Sequence, residues 1–219
     1  MRPILSIGGE HVSIENIILG VLSWKPCSGY DIQTEVEYKG RNMGWGRVGY
    51  GSIYPKLKRM EIEGLIYTYH SEEGGRKTNV YELTEKGWRA LSNWLIKPPA
   101  YPVTRDELFM KLSFWETGLP EARTTLIEHL KLRYGESLSM LKHYNNWERN
   151  GFSSISEFGA LGIAYVKERL QLELKWIDGA IKQLEGEEKP PVQDPNNLIA
   201  KAKERRKIIF ESMNKDQKK

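Results

Sequence analysis

The sequence predicts a mainly α-helical fold with one small β-hairpin, and three patterns support this prediction. Apolar residues recur at three-to-four spacing in several separate segments, which is the period of an amphipathic helix. Residues 65–70 show the two-residue period of a strand, and a turn with adjacent glycines separates them from a second strand at residues 80–83. Two long helical patterns follow. Together they indicate a helical domain with a β-wing, then a domain of long helices.

Two helices are predicted at the beginning of the chain. Ser13 can cap the first one, because its hydroxyl can accept a free backbone N–H. The apolar face of this helix is formed by Ile14, Ile17, Ile18, Val21 and Leu22. Ser28 begins the second helix, and Asp31 lies three residues later, as in a capping box.

The stretch that follows is rich in glycine. Residues 38–51 contain five glycines, which argue against a regular element. Lys39, Arg41 and Arg47 make this stretch basic. Two interpretations stay open: a loop that contacts the phosphates of a nucleic acid, or a plain connector with solvated charges.

A third short helix is predicted between residues 52 and 63. Ser52 can cap it, Pro55 fits its first turn, and Gly64 follows as a left-handed stop. Ile53, Leu57 and Met60 share one face, so Tyr54, Pro55, Lys58 and Arg59 lie on the other. An apolar inner face with a basic outer face suits a helix in the DNA major groove. The alternative is a solvated surface helix.

The hairpin and a fourth helix complete the first domain. Residues 71–78 form the predicted turn, with Arg76 and Lys77 at its tip. Arginine there can enter a minor groove or contact phosphates, and the alternative is pairing with a glutamate across the turn. Thr84 caps the fourth helix, whose predicted apolar side is Trp88, Leu91, Trp94 and Leu95, and Pro98-Pro99 ends it. This order of elements is that of a winged helix-turn-helix.

The motifs of this region resemble those of the PadR-type transcriptional regulators. The matching runs are Ile18-Leu-Gly-Val-Leu22, Ser28-Gly-Tyr-Asp31, Gly51-Ser-Ile-Tyr-Pro-Lys-Leu57, Glu63-Gly-Leu65, Gly75-Arg76, Tyr81-Glu-Leu-Thr84, Gly87 and Arg105-Asp-Glu-Leu108. The resemblance covers residues 14–185 and implies a homodimeric, sequence-specific DNA-binding regulator, with repression as the expected effect. It also implies that the second helix packs across the third and touches phosphates near its start.

These arguments give one predicted set of DNA-contacting residues. We expect base-edge contacts from Ser52 and Tyr54 and phosphate contacts from Lys58, Arg59 and the loop arginines. The full set is Ser28, Tyr30, Arg47, Ser52, Tyr54, Pro55, Lys58, Arg59, Arg76 and Lys77. The alternative function is a winged-helix module that binds another protein and no specific DNA.

Composition breaks suggest three regions: a winged helix-turn-helix domain at 1–97, a helical dimerisation domain at 104–186, and a basic tail at 187–219. In the second region, helices are predicted around 108–115, 121–148 and 155–184. The last carries a seam resembling that of a coiled coil, Ile163, Val166, Leu170, Leu174, Ile177, Ile181 and Leu184. A twofold homodimer would bury it, and the alternative is a hairpin within one chain.

The tail offers two interpretations. A basic helix over residues 199–213 would make an auxiliary contact to DNA or a partner, whereas a frayed tail would only solvate its charges. The net charge of +4 permits nucleic-acid binding without requiring it.

Other function classes find little support. The four histidines are scattered, and neither metal-ligand spacing nor a nucleophile motif is present, so we expect no enzyme, metal or cofactor. A lone Cys27 and the lack of a long apolar stretch predict a cytoplasmic protein without a membrane segment. The resemblance adds an aromatic or cationic small-molecule effector near Trp88, Trp94 and Trp115. The alternative is that these tryptophans pack in the dimer interface.

Overall fold

The computed structural model describes residues 13–42, 53–73, 76–99, 106–118, 122–147, 149–151 and 154–216. The chain divides into two compact units, Met1–Thr104 and Arg105–Lys219. Each unit has its own apolar clusters, which are described separately below. No helix in the described ranges is both long and apolar enough to span a bilayer.

The first unit is a winged helix-turn-helix. Its elements are α1 Ile14–Leu22, β1 Cys27–Ser28, α2 Gly29–Asn42, α3 Ile53–Ile62, β2 Ile66–Glu73, β3 Arg76–Leu83 and α4 Glu85–Leu95. The three strands form an antiparallel sheet in the order β1-β3-β2. One core unites the helices and the sheet, and its most deeply buried members are Ile18, Ile32, Val36, Ile53, Leu57, Met60 and Ile66.

The predicted start and stop signals hold these elements in place. The Ser13 hydroxyl accepts from Glu15 N at 3.2 Å, and the Thr84 hydroxyl accepts from Gly87 N at 3.1 Å. Thr84 also donates to the carbonyl of Gly64 at 2.7 Å, which connects the start of α4 to the turn after α3. Gly64 has φ 69°, so the predicted left-handed stop is confirmed.

The structure corrects three details of this unit. Helix α2 continues to Asn42, so the expectation of irregular structure from residue 38 is wrong for its first five residues. A glycine weakens a helix interior by only about 1 kcal/mol, which packing earlier in the helix outweighs. The turn between the strands is shorter than residues 71–78, because Ser71 pairs with Thr78 and Glu73 with Arg76. The pairing of β2 and β3 continues through these polar residues because backbone hydrogen bonds between strands do not require apolar side chains.

The third correction concerns the faces of α4. Its buried residues are Gly87 and Leu91, and Trp94 packs against the same core. Trp88 is 49% exposed and Leu95 is 66% exposed, so neither lies on the buried side as predicted. Trp88 follows Gly87 directly and is therefore rotated about 100° away from that face.

The described residues of the second unit form four helices, α5 Glu107–Gly118, α6 Arg123–Trp147, α7 Glu157–Glu185 and α8 Leu198–Asp216. Helices α6 and α7 form an antiparallel hairpin, with Tyr144 against Ile163 at one end and Leu130 against Ile177 at the other. The predicted seam of α7 therefore faces α6 of the same chain. Arg133 of α6 reinforces the hairpin, because its guanidinium donates to Glu173 at 2.7 Å and to Asp106 at 2.8 Å.

The side chain of Asp194 caps the start of helix α8. Both carboxylate oxygens of Asp194 accept from backbone N–H groups, of Leu198 at 2.7 Å and of Ile199 at 3.2 Å. The helix packs against α5, where Lys203 forms an ion pair with Glu116. The basic segment is thus a capped helix that packs against its own unit.

Candidate nucleic-acid interface

Helix α3 has two distinct faces, as predicted. Ile53, Leu57 and Met60 are at most 1% exposed and fix the helix on the core of the first unit. Because a helix turns about 100° per residue, this anchoring directs the intervening side chains outward. Tyr54 is 51% exposed, and Pro55, Lys58 and Arg59 are exposed beside it.

The start of α2 lies next to this outer face. The ring of Tyr54 lies so close to Gly29 that a Cβ built there would lie 2.7 Å from Tyr54 Cε1. Tyr30, the next residue of α2, is 71% exposed. Two exposed tyrosines, from α2 and α3, therefore flank one small stretch of the surface.

A capping box fixes the start of α2. The Ser28 hydroxyl donates to Asp31 Oδ2 at 2.6 Å and accepts from Asp31 N at 3.1 Å, while Ser28 N donates to Asp31 Oδ2 at 3.2 Å. The predicted arrangement is confirmed. The Ser28 side chain is thus already hydrogen-bonded, and its evident role is to hold the backbone that carries Gly29 and Tyr30.

The cations of α3 have different environments. Lys56 points to the flank of the helix and donates to Glu15 of α1 at 2.6 Å. Partial burial of Glu15 raises its pKa, but hydrogen bonds from Lys56 and Ser13 outweigh that effect and lower the pKa to about 2. This pair connects α3 to α1, and sequence reasoning missed it because the partners are 41 residues apart.

Arg59 and Lys58 remain on the outer face. Arg59 Nε donates to Glu63 Oε1 at 2.7 Å, an exposed pair one helical turn apart, and this hydrogen bond raises the pKa of Arg59. Lys58 forms no ion pair with another residue of the described ranges. The outer face thus carries Lys58, which has no ion-pair partner among the described residues, and Arg59, for which Glu63 would compete with a phosphate.

Some predicted positions lie outside what is described. Arg47 and Ser52 fall in the range 43–52, and the side chain of Arg76 is likewise outside the described part. Lys77 is described and exposed on β3, opposite Glu72 in the strand register. Whether Arg76 pairs with a glutamate across the turn therefore stays a prediction.

The three tryptophans proposed for an effector have different surroundings. Trp94 packs against the core of the first unit, and Trp88 projects from another face of the same helix. Trp115 belongs to a cluster of the second unit, where His129 meets its ring edge-on at 5.7 Å between ring centres. Its indole N–H is buried without a hydrogen-bond partner among the described residues.

Within the described residues, no group of three or more His, Cys, Asp or Glu side chains could hold a metal ion.

Comparison with known proteins gives a consistent result. Residues 18–93 match the transcriptional regulator PadR-like family. The negative transcriptional regulator PadR of Bacillus subtilis is 28% identical over 179 residues, covering 77% of this chain and 95% of that protein.

Solved structures agree in fold. B. subtilis PadR in complex with operator DNA superposes with a TM-score of 0.66 at 24% identity, covering 78% of this chain and 98% of that one. The same regulator in complex with p-coumaric acid gives a TM-score of 0.62 at 23% identity, covering 79% and 98%. About a fifth of this chain has no counterpart in these structures.

Proposed function

Because this chain belongs to the PadR-like family of transcriptional regulators, we propose that it binds its operator as a homodimer and represses transcription. The observation that carries this proposal is the two-faced α3, whose buried residues fix an exposed face bearing Tyr54 and Lys58. An α-helix with such a face fits the major groove, where base edges differ between all four base pairs.

The contacts divide into two classes. Tyr54 and Ser52 supply hydrogen bonds to base edges, whereas Lys58 and Arg59 neutralise phosphates. Arg59 must exchange Glu63 for a phosphate, and an exposed ion pair of this kind is weak enough to permit it. The remaining proposed contacts are to the backbone and the adjacent minor groove, from Ser28, Tyr30, Arg47, Pro55, Arg76 and Lys77.

The proposed dimer surface is on α7. Opposite its buried seam, this helix exposes a second apolar stripe, formed by Phe158, Leu161, Tyr165, Leu172 and Trp176. An exposed apolar stripe of this length is unfavourable in water unless another surface covers it. A second copy of α7 would cover it around a twofold axis. To read two adjacent half-sites, the two copies of α3 would need to lie about one DNA turn, roughly 34 Å, apart.

A small molecule is the proposed signal that releases the DNA. B. subtilis PadR has been solved with operator DNA and with p-coumaric acid, which motivates an aromatic effector here. In this chain the buried indole N–H of Trp115 lacks a partner among the described residues and is a donor that a ligand oxygen could use. Trp88 and Trp94 stay within the proposal as ring surfaces for stacking.

Selection of duplexes from a random pool tests the function directly. We expect a palindromic site with half-sites about 10 base pairs apart, bound more tightly than a scrambled duplex at moderate salt. Phenolic acids or lipophilic cations should then release the labelled duplex in an anisotropy titration. Equal and steeply salt-sensitive binding to both duplexes would mean only a basic surface. No binding at low salt would favour the protein-interaction module.

A further inference from the structure

We propose that Gly29 is a positioning residue for DNA reading: its missing side chain leaves the space in which the ring of Tyr54 lies. The inference rests on the proposed function, because it assigns a role to Tyr54 at the operator. It concerns a residue outside the predicted contact set, on a different helix from Tyr54.

With the ring of Tyr54 in its present position, there is no space for a Cβ atom at residue 29. A Cβ at Gly29 would lie 2.7 Å from Tyr54 Cε1, 3.3 Å from Cζ and 3.4 Å from the hydroxyl oxygen. Real Cβ atoms essentially never approach another heavy atom within 3.0 Å. Gly29 lies outside the left-handed region of φ, so its backbone is accessible to alanine, and the requirement for glycine is one of space.

Both backbones that flank this contact are fixed. On one side, the Ser28–Asp31 capping box holds the first residue of α2, and Ser28 also pairs with Val80 in the sheet. On the other side, Tyr54 directly follows Ile53, which is 1% exposed in the core. An added methyl group at residue 29 would therefore be relieved chiefly by movement of the Tyr54 ring.

Movement of the ring affects specific binding more than general affinity. A hydrogen bond from the Tyr54 hydroxyl to a base edge requires a donor–acceptor distance of about 2.5–3.0 Å, so a shift of one ångström breaks it. Phosphate contacts by long cationic side chains tolerate such a shift, because Lys58 is flexible and acts as a point charge. The substitution thus separates recognition from electrostatic attraction.

The experiment compares Gly29→Ala with Gly20→Ala by anisotropy on the selected operator and a scrambled duplex. Gly20 is a suitable control because it is also helical and a Cβ there meets nothing within 4 Å. We expect G29A to lower the operator-to-scrambled affinity ratio roughly threefold to tenfold, with unchanged scrambled binding, and G20A to leave the ratio unchanged. In a Tyr54→Ala background, G29A should have no further effect on the ratio.

Two results would overturn the inference: the same ratio for G29A and G20A, or an equal loss caused by G29A with and without Tyr54. If G29A fails to fold, recovery of the fold in the G29A/Y54A double variant supports the contact, and no recovery overturns it. If the wild type does not discriminate between duplexes, the proposed function fails instead. NMR of ring-labelled tyrosine then decides: unchanged Tyr54 resonances in free G29A overturn the contact, and a shift absent from G20A supports it.

Discussion

The three cationic residues of α3 have different surroundings although they are close together in the sequence. Lys56 is directed toward α1 and pairs with Glu15, Arg59 pairs with Glu63 just after the end of the helix, and Lys58 is exposed. Lys56 and Lys58 differ by two positions, which is about 200° around the helix. Lys56 therefore helps to hold α3 against α1, and Lys58 is exposed where the proposed function places the DNA.

The Glu15–Lys56 pair makes a prediction about pH. The pKa of Glu15 is lowered from 4.5 to about 2, so the pair stabilises the fold above pH 4.5 and this contribution is lost as the pH falls toward 2. Because the pair is partly exposed, Lys56→Met should reduce the free energy of unfolding by roughly 1–2 kcal/mol at pH 7. Urea unfolding should show this difference shrinking between pH 4.5 and pH 2.

Lys58→Met is the matched control for that experiment, because it removes an exposed lysine from the same helix. Lys58→Met should change the free energy of unfolding little, both at pH 7 and between pH 4.5 and pH 2. A wild-type advantage over Lys56→Met that stays constant down to pH 2 would show that the pair does not titrate as described.

At the scale of elements, the sequence correctly predicted the helix boundaries that are determined by neighbouring residues. Caps at Ser13, Ser28 and Thr84 and the stop at Gly64 are short-range signals, and they mark the same boundaries in the structure. The end of α2 and the length of the wing were predicted poorly, since both depend on pairing and packing with distant parts of the chain. The same limit applies to Trp88, whose exposure depends on which face of α4 meets the core.

Helix α7 leads to a prediction about the proposed dimer, because one of its faces is buried in the chain and the other carries an exposed apolar stripe. The seam lies against α6, whereas the outer stripe is exposed, and within it only the ring of Trp176 is known to contact another helix, at 5.3 Å from the ring of Phe109 of α5 among the described residues. Leu172 is 67% exposed in the single chain, and Leu172→Glu should therefore spare the fold while weakening the dimer roughly tenfold or more. Sedimentation over a concentration series measures this, with exposed Gln171→Glu as the control for added charge.

Two sedimentation results would count against this assignment. A wild type that is monomeric at every concentration would remove the dimer itself. A Leu172→Glu variant that associates as strongly as Gln171→Glu would place the interface elsewhere.

At the scale of the molecule, the modest net charge of +4 conceals an uneven distribution. Residues 198–219 contain eight lysines and arginines against three acidic residues, so the rest of the chain is close to neutral. Specific recognition by the first unit must therefore rely on placed side chains more than on bulk attraction. This is why the contacts of Tyr54 matter more to the proposed function than overall charge.

The sequence was sufficient to predict which side chains of α3 face outward, but not which residues of α1 and α2 they contact. The sequence alone identified the outer face of α3, because a 3.6-residue period decides which side chains share a face. It did not reveal Gly29 against Tyr54 or Lys56 against Glu15. Those contacts join residues that are far apart along the chain, and only the packing of α1, α2 and α3 brings them together.

The most direct measurement is the affinity of wild type and Tyr54→Ala for the selected operator and its scrambled control, across a salt series. We expect Tyr54→Ala to weaken operator binding by roughly tenfold and scrambled binding hardly at all, with the same salt slope on both duplexes. An equal loss on the two duplexes would contradict base reading by the outer face of α3.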